Sequence, residues 1–216
     1  MSPLASLGFS GGPSGSGIVA SGGSISTDGK YKIHTFTGSA NFVLTSNPNN
    51  EDFEVLVVGG GGTGGTFYSG VNGSGASSGA IIERQLKIST GTHLVTVGGG
   101  TGASSIGSLV SAPGGPGFNG ALQPSYNKPV FPAIGYASAT NTYVSGIWNW
   151  PNFDGAVGTP FVSTISGTSA SYGGIGGSSG IYTGIGTSNY GAGGAGGTSG
   201  SGSSGNQGIV YIRYRA

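Results

Sequence analysis

The 216-residue sequence has no cysteine, one methionine and few charges: seven Lys/Arg against six Asp/Glu, 6% of all residues, for a net charge of +1. Without cysteine there is no disulfide framework, thiolate nucleophile or Cys-based metal site. Seven cations scattered along the chain cannot line a phosphate-binding stripe, so nucleic acid is not an expected partner. A surface this uncharged gives little electrostatic repulsion and suits a permanent place inside an assembly better than life as a free monomer. No apolar run approaches the roughly 20 residues that span a bilayer, so no membrane insertion is expected. Residues 1–8 have neither a basic stretch nor a sustained apolar one, and no signal peptide is expected there.

What the chain has in abundance is glycine. Its 50 glycines are roughly three times the usual share of about 7%. Each glycine loses extra backbone entropy on folding, and inside a helix it costs about 1 kcal/mol relative to Ala, so helices are nearly excluded. Glycine and serine alone would suggest disorder. Ten Tyr, nine Phe, two Trp and a 35% hydrophobic share argue instead for a packed core, since disordered chains are poor in aromatic and β-branched residues. One all-β domain is the default for this length.

Along the chain, residues 1–29 form a Gly/Ser/Pro-rich arm with small apolar islands at Leu4, Leu7 and Phe9 and at Ile18 and Val19. Such a segment cannot fold by itself; it is either a tail or an extended arm that orders against a neighbouring subunit. The glycine-rich β domain follows over residues 30–216. Residues 30–37 and 41–45 read as a hairpin, and Asn47-Pro48-Asn49-Asn50 as a turn. Residues 54–58 are apolar on both faces, as in a central strand covered on both sides. Residues 80–88 and 93–97 flank a turn, and 105–110 read as a weaker strand. At the C-terminal end Val210, Ile212 and Tyr214 share one face and Tyr211, Arg213 and Arg215 the other. Residues 54–58 and 208–214 are expected to be interior strands with Val55, Val57, Val210 and Ile212 buried. Three long excursions, 59–79, 112–165 and 166–207, interrupt these elements, and excursions of that length are usually functional.

Gly60-Gly61-Gly62-Thr63-Gly64-Gly65 satisfies G-x-G-x-x-G directly after a strand, with Glu83 near the distance of a ribose-binding acid. The fingerprint requires a helix opening on the third glycine. No helix-forming run follows, and in a chain with this much glycine the match is expected by chance. Acids are few: Asp28, Glu51, Asp52, Glu54, Glu83 and Asp154. Glu51, Asp52 and Glu54 read as solvation at the foot of a strand. His34 and His93 read as solvent-facing or satisfied at a sheet edge. No Ser–His–acid spacing or metal-ligand cluster stands out, so no catalytic residue, cofactor or metal is expected.

Two patterns remain. Glycines recur at every third position at Gly191, Gly194, Gly197 and Gly200, and at Gly174, Gly177 and Gly180. A left-handed extended helix has three residues per turn, so one edge of such a segment would be free of side chains and could pack closely on its neighbours. Ordinary low complexity would give the same phasing by coincidence. The other pattern is the aromatic insert, residues 112–165. Within it Tyr143, Trp148, Asn149, Trp150, Asn152 and Phe153 combine flat rings with amides, the mixture that grips sugars or a protein surface. These six are the candidate receptor-binding residues; a satellite core under the loop is the alternative.

The order of motifs, Lys32-Ile33-His34-Thr35-Phe36-Thr37, then Glu54-Val55-Leu56-Val57-Val58-Gly59-Gly60-Gly61-Gly62, then Leu94-Val95-Thr96-Val97-Gly98-Gly99-Gly100, and finally Gly208-Ile209-Val210-Tyr211-Ile212-Arg213-Tyr214, resembles the glycine-rich domain of bacteriophage tail fibres and other virion proteins. The resemblance covers about residues 30–216 and rests on order and spacing more than on any one motif. It implies an all-β, β-sandwich-like core of jelly-roll type with long glycine-rich loops, including polyglycine-II-like segments. It also implies a place in a phage particle, assembled in the host cytoplasm. On this reading the chain is a non-enzymatic structural protein of the tail or tail fibre that contributes to host adsorption. The alternative is a capsid or tail decoration protein that cements the particle through its N-terminal arm. Expected partners are other virion proteins, further copies of the chain in a homo-oligomer, with a trimer favoured, and a host surface receptor such as a carbohydrate. The short glycine runs and the aromatic insert depart from that family's adhesins.

Overall fold

The structure is a computed structural model that describes residues 17–66, 75–117, 142–144, 147–149, 160–174, 176, 188–197 and 200–216. All regular structure among these residues is β. The strands in chain order are β1 (Val19–Ser21), β2 (Ser24–Asp28), β3 (Tyr31–Phe36), β4 (Ala40–Ser46), β5 (Phe53–Val58), β6 (Ile81–Leu86) and β7 (Gly91–Thr96). They continue with β8 (Ser104–Ile106), β9 (Val110–Ala112), β10 (Thr142–Val144), β11 (Ile147–Asn149), β12 (Phe161–Ser163), β13 (Ala170–Tyr172) and β14 (Ile209–Arg215).

Two five-stranded sheets make a sandwich. Sheet I has the order β1-β4-β7-β8-β9 and sheet II the order β2-β3-β14-β5-β6. Every pairing within them is antiparallel. The main core fills the space between the sheets. Sheet I contributes Phe42, Leu44, Val95 and Ile106, and sheet II contributes Phe36, Phe53, Val55, Val57, Val210, Ile212 and Tyr214. A second core lies on the opposite face of sheet II. There Ile33, Leu56, Val58, Ile209 and Tyr211 pack under Ile165 and Tyr172, the β12–β13 ribbon region.

This double coverage explains the composition of β5 and β14. In a strand, alternate residues face opposite sides, so Val55 and Val57 enter one core while Leu56 and Val58 enter the other. Each such side chain contributes about 1.5–3 kcal/mol when fully buried. Both strands are interior, and Val55, Val57, Val210 and Ile212 are fully buried, as the patterning predicts.

Three local expectations are corrected. The apparent hairpin of β3 and β4 is a crossover: β3 pairs with β2 and β14, whereas β4 pairs with β1 and β7. The short Gly38-containing link spans the two sheets, so Phe36 and Phe42 enter the same core from opposite walls. Residues 19–28, assigned by composition to an N-terminal arm, are strands β1 and β2, one in each sheet. The chain changes sheets between them at Gly22 and Gly23, which have φ of +113° and +62°. A Cβ on Gly22 would stand 2.1 Å from the Asn41 carbonyl oxygen. Residues 1–16 of that arm lie outside the described residues. Finally, residues 105–110, expected as one weak strand, belong to the antiparallel pair β8–β9, which turns at Gly107.

One side-chain bond joins the two sheets, and others brace sheet II and a turn. Arg84 of β6 donates to the Leu109 carbonyl in the β8–β9 turn at 2.6 Å. Arg213 of β14 lies 3.7 Å from Asp28 and 3.5 Å from Glu54, with its guanidinium 4.0 Å from the centre of the Tyr31 ring. The turn at residues 47–50 is pinned by reciprocal bonds between the Asn47 amide and the Glu51 backbone.

Candidate functional site

Six strand ends, those of β5, β6, β7, β9, β13 and β14, open into glycine-rich segments, and these segments bond to one another. Segment 59–65, which leaves β5, occupies the centre. Its amides donate outward in rotation: Gly59 to Ala80 (2.9 Å), Gly60 to Gly102 (2.9 Å), Gly61 to Asn206 (2.8 Å), Gly62 to Ser77 (3.0 Å) and Gly64 to Ser203 (2.9 Å). Gly59 and Gly62 thus address one neighbouring segment, Gly61 and Gly64 a second, and Gly60 a third. Its carbonyls accept from Gly115 at Gly60, Thr101 at Gly61, Gly194 at Gly62 and Gly197 at Gly65, at 2.7–2.9 Å.

The spacing of three recurs between the outer segments. Ala76 and Gly79 donate to Gly194 and Gly191, and Ser203 and Asn206 donate to Ala195 and Ala192. The bonds thus run out in several directions with a three-residue repeat, the periodicity of an extended segment with three residues per turn. They satisfy backbone groups that a buried loop would otherwise leave unpaired. The phased glycines Gly191, Gly194 and Gly197 all take part, while Gly177 and Gly180 lie outside the described residues.

Close approach explains the residue type. A Cβ added at Gly61 would lie 1.8 Å from the Ala192 carbonyl oxygen, and one at Gly60 would lie 1.7 Å from that of Gly99. Amide side chains add a few links: Asn206 Nδ2 donates to the Asn189 carbonyl at 2.8 Å and Asn189 Nδ2 to that of Gly173 at 2.9 Å. The G-x-G-x-x-G match is therefore accounted for. Its Gly60, Gly61, Gly62 and Gly64 amides are spent on protein carbonyls, and Glu83 accepts a 3.0 Å hydrogen bond from Ser163.

Chain direction places the far end of the bundle. Segments 59–65 and 113–117 run away from the sheets, whereas 75–80 and 200–208 run back into β6 and β14. Segment 191–197 runs alongside 59–65 in the same direction, since Gly194 and Gly197 address Gly62 and Gly65. Positions 66, 75, 117, 197 and 200 consequently gather at the end away from the sandwich. The connecting stretches, among them the one that carries the aromatic insert, start from that end.

Of the six candidate receptor-binding residues, three fall on a described ribbon. Tyr143 of β10 is the register partner of Trp148 of β11, and Asn149 stands opposite Thr142. Trp150, Asn152 and Phe153 lie outside the described residues.

His34 corrects another expectation, because it is neither solvent-facing nor at an edge. It is fully buried in β3, between β2 and β14. Its Nδ1 lies 2.7 Å from the Gly22 carbonyl and its Nε2 lies 3.2 Å from the Tyr214 hydroxyl. A carbonyl only accepts, so Nδ1 carries the proton and the Tyr214 hydroxyl donates to Nε2. The ring stacks on Tyr214 and meets Phe42 edge-on. Burial holds its pKa below the usual value of 6.5, the bond to Gly22 opposes that shift, and Lys32 adds to it. Burial likewise raises the phenol pKa of Tyr214, and it raises that of Tyr211 with help from Tyr172. His93 fits its reading: it bonds the Ser89 carbonyl at 2.8 Å near the start of β7. Of the acids at the foot of β5, Asp52 pairs with Lys87 at 3.2 Å and Glu54 with Arg213. Among the described residues no group of three or more His, Asp or Glu is placed to hold a metal ion.

No protein-family model matches this chain, and no curated protein is similar to it.

Proposed function

We propose that the chain is a non-enzymatic bacteriophage virion protein of the tail or tail fibre that contributes to host adsorption. In this reading the sandwich is the base, the glycine bundle the stalk, and the segments that start from its far end the recognition surface. The observation that supports it most is the bundle itself. A set of segments that spends its amides and carbonyls on one another is a rigid backbone scaffold, and such scaffolds commonly position binding loops. The aromatic insert leaves that scaffold at residue 117, and its Tyr143, Trp148 and Asn149 supply the ring and amide chemistry that carbohydrate or protein receptors require. The host, the other virion proteins and a surface receptor are the partners this role needs.

Adsorption tests the proposal. Purified protein should bind host cells and compete with intact phage. Replacing Trp148 and Trp150 together by Ala should weaken that binding roughly tenfold or more, given about 0.5–1.5 kcal/mol per stacked ring beyond burial, without altering the melting of the sheet. A double variant that binds as well as the parent counts against the recognition surface. Protein that binds no cells, but whose loss makes particles fragile, favours the decoration role instead.

A further inference from the structure

The two sheets have four edges, and three of them are blunted. β1, at one edge of sheet I, is three residues long, and its register shifts between Val19 and Ala20. β9, at the other edge, is also three residues long. β6, at one edge of sheet II, carries Glu83 and Arg84 at its centre. Short strands, irregular register and charge are the usual ways to keep an edge from pairing. β2 uses none of them. It runs five residues in unbroken register along β3, and its one charge, Asp28, stands at the last position. Asp28 and Tyr31 flank a two-residue turn and form a hydrogen-bonded pair, so Ser26 with Ile33 and Ser24 with Thr35 do the same. The amides and carbonyls of Ile25 and Thr27 therefore point away from β3, and among the described residues no strand lies beyond them. Ile25 is also 53% exposed, although its register partner His34 is fully buried.

We propose that residues 4–9 of the same chain add to this edge as a further strand of sheet II, parallel to β2. Position and length select the occupant. Gly17 lies against Pro48, in the turn that leads into β5. The pairings of Asp28 with Tyr31, Tyr31 with Arg215 and Arg213 with Glu54 put Asp28 at that same end of the sandwich. The chain before Gly17 therefore starts beside the open edge. Residues 10–16 span up to about 23 Å, more than the roughly 10 Å between packed sheets, and consist only of Gly, Ser and Pro. They are long enough to lead from the outside of β2 to the start of β1. Ahead of them, Ala5, Leu7 and Phe9 alternate with Leu4, Ser6 and Gly8, which in a strand gives one apolar face to lay beside Ile25. Main-chain bonds to Ile25 and Thr27 supply the rest of the recognition. A tether this short holds the segment at an effective concentration on the order of a millimolar, which a separate chain does not reach in micromolar solution. The inference stands apart from the adsorption role, since it uses the flank of the sandwich and not the end of the bundle.

Amide hydrogen exchange of the full chain, followed by NMR, tests it. A variant with Leu7→Asp and Phe9→Asp together places two charges on the apolar face of the segment. The amides of Ile25 and Thr27 should exchange roughly tenfold or more slowly in the parent than in this variant. Those of Ser24, Ser26 and Asp28, which bond to β3, should keep their protection in both. Adding unlabelled parent to isotope-labelled variant should leave the variant's Ile25 and Thr27 unprotected, because each chain covers only its own edge. Four results overturn the proposal. The first is exchange of Ile25 and Thr27 in the parent at the rate of an unstructured chain. The second is equal protection in the variant, which would mean that something else covers the edge. The third is protection restored by added parent, which would mean that copies exchange the segment. The fourth is equal loss at Ser24, Ser26 and Asp28, which would mean that the substitutions loosen sheet II as a whole.

Discussion

The sandwich and the glycine bundle belong to one chain but are held together by opposite means. Between the sheets, large side chains such as Phe42, Phe53 and Tyr214 meet edge to face and exclude water. In the bundle there are almost no side chains to bury. Segment 59–65 is surrounded by other backbones, and its cohesion is a rotation of hydrogen bonds with a three-residue repeat. Side-chain packing absorbs a methylene more or less at a cost of about 1–3 kcal/mol, because neighbours shift their rotamers. Backbone packing has no rotamers to adjust. The bundle should therefore be less forgiving of a single added methyl group than the core is of several removed ones.

Gly61→Ala probes that difference most severely. Its Cβ would sit 1.8 Å from the Ala192 carbonyl oxygen, and the neighbour that must yield is itself hydrogen-bonded. The expected loss in denaturant unfolding is more than about 4 kcal/mol, the range reserved for specific structural failures. Leu56→Ala removes a fully buried side chain from the core on the outer face of sheet II and should cost about 3 kcal/mol. A Leu56→Ala loss larger than that of Gly61→Ala would reverse the comparison.

How much of this was legible in the sequence depends on which of the two mechanisms was at work. Side-chain mechanisms leave a pattern: the runs of β5 and β14 are apolar on both faces, and both proved to be interior strands. The glycine phasing at Gly191, Gly194 and Gly197 was visible too, but its partners were not, because Gly62 and Gly65 are remote in sequence and carry no side chain to pair with. Sheet assignment was equally hidden. The Gly38–Ser39 link has the chemistry of a hairpin turn, yet it crosses between sheets, and only the need to place Phe36 and Phe42 on opposite walls of one core decides it. β1 and β2 carry no strand signature of their own, because residues 19–28 hold little apolar content. They are ordered by pairing with β4 and β3. The burial of His34 leaves no local signal, because its partners, Gly22 and Tyr214, come from outside β3, the latter 180 positions away.

Acid sharpens the account of the sandwich. His34 is buried and neutral, and its folded pKa lies below 6.5. Between the folded and the unfolded value the unfolded chain binds more protons, so stability falls as pH drops through about 6.5 and levels off below the folded pKa. Thermal melts should show this loss in the parent between neutral and mildly acidic pH. A His34→Gln variant, less stable at neutral pH, should lack that slope. A parent melting temperature unchanged by acid would contradict the buried, neutral assignment. The smallest effect belongs to Gly99→Ala. Nothing lies within 4 Å of a Cβ at that position, so the change should stay within about 0.5 kcal/mol. That near-silence would show that position in the bundle, not glycine as such, sets the cost of Gly61→Ala.

The most direct test of backbone cohesion is amide hydrogen exchange followed by NMR at single residues. If the bundle is a hydrogen-bonded unit continuous with the sheets, the amides of Gly60, Gly61, Gly62 and Gly64 will exchange as slowly as those of Val55, Val57 and Val210, opening only with global unfolding. Exchange of these glycine amides at the rate of an unstructured chain, while the strand amides remain protected, would contradict the account.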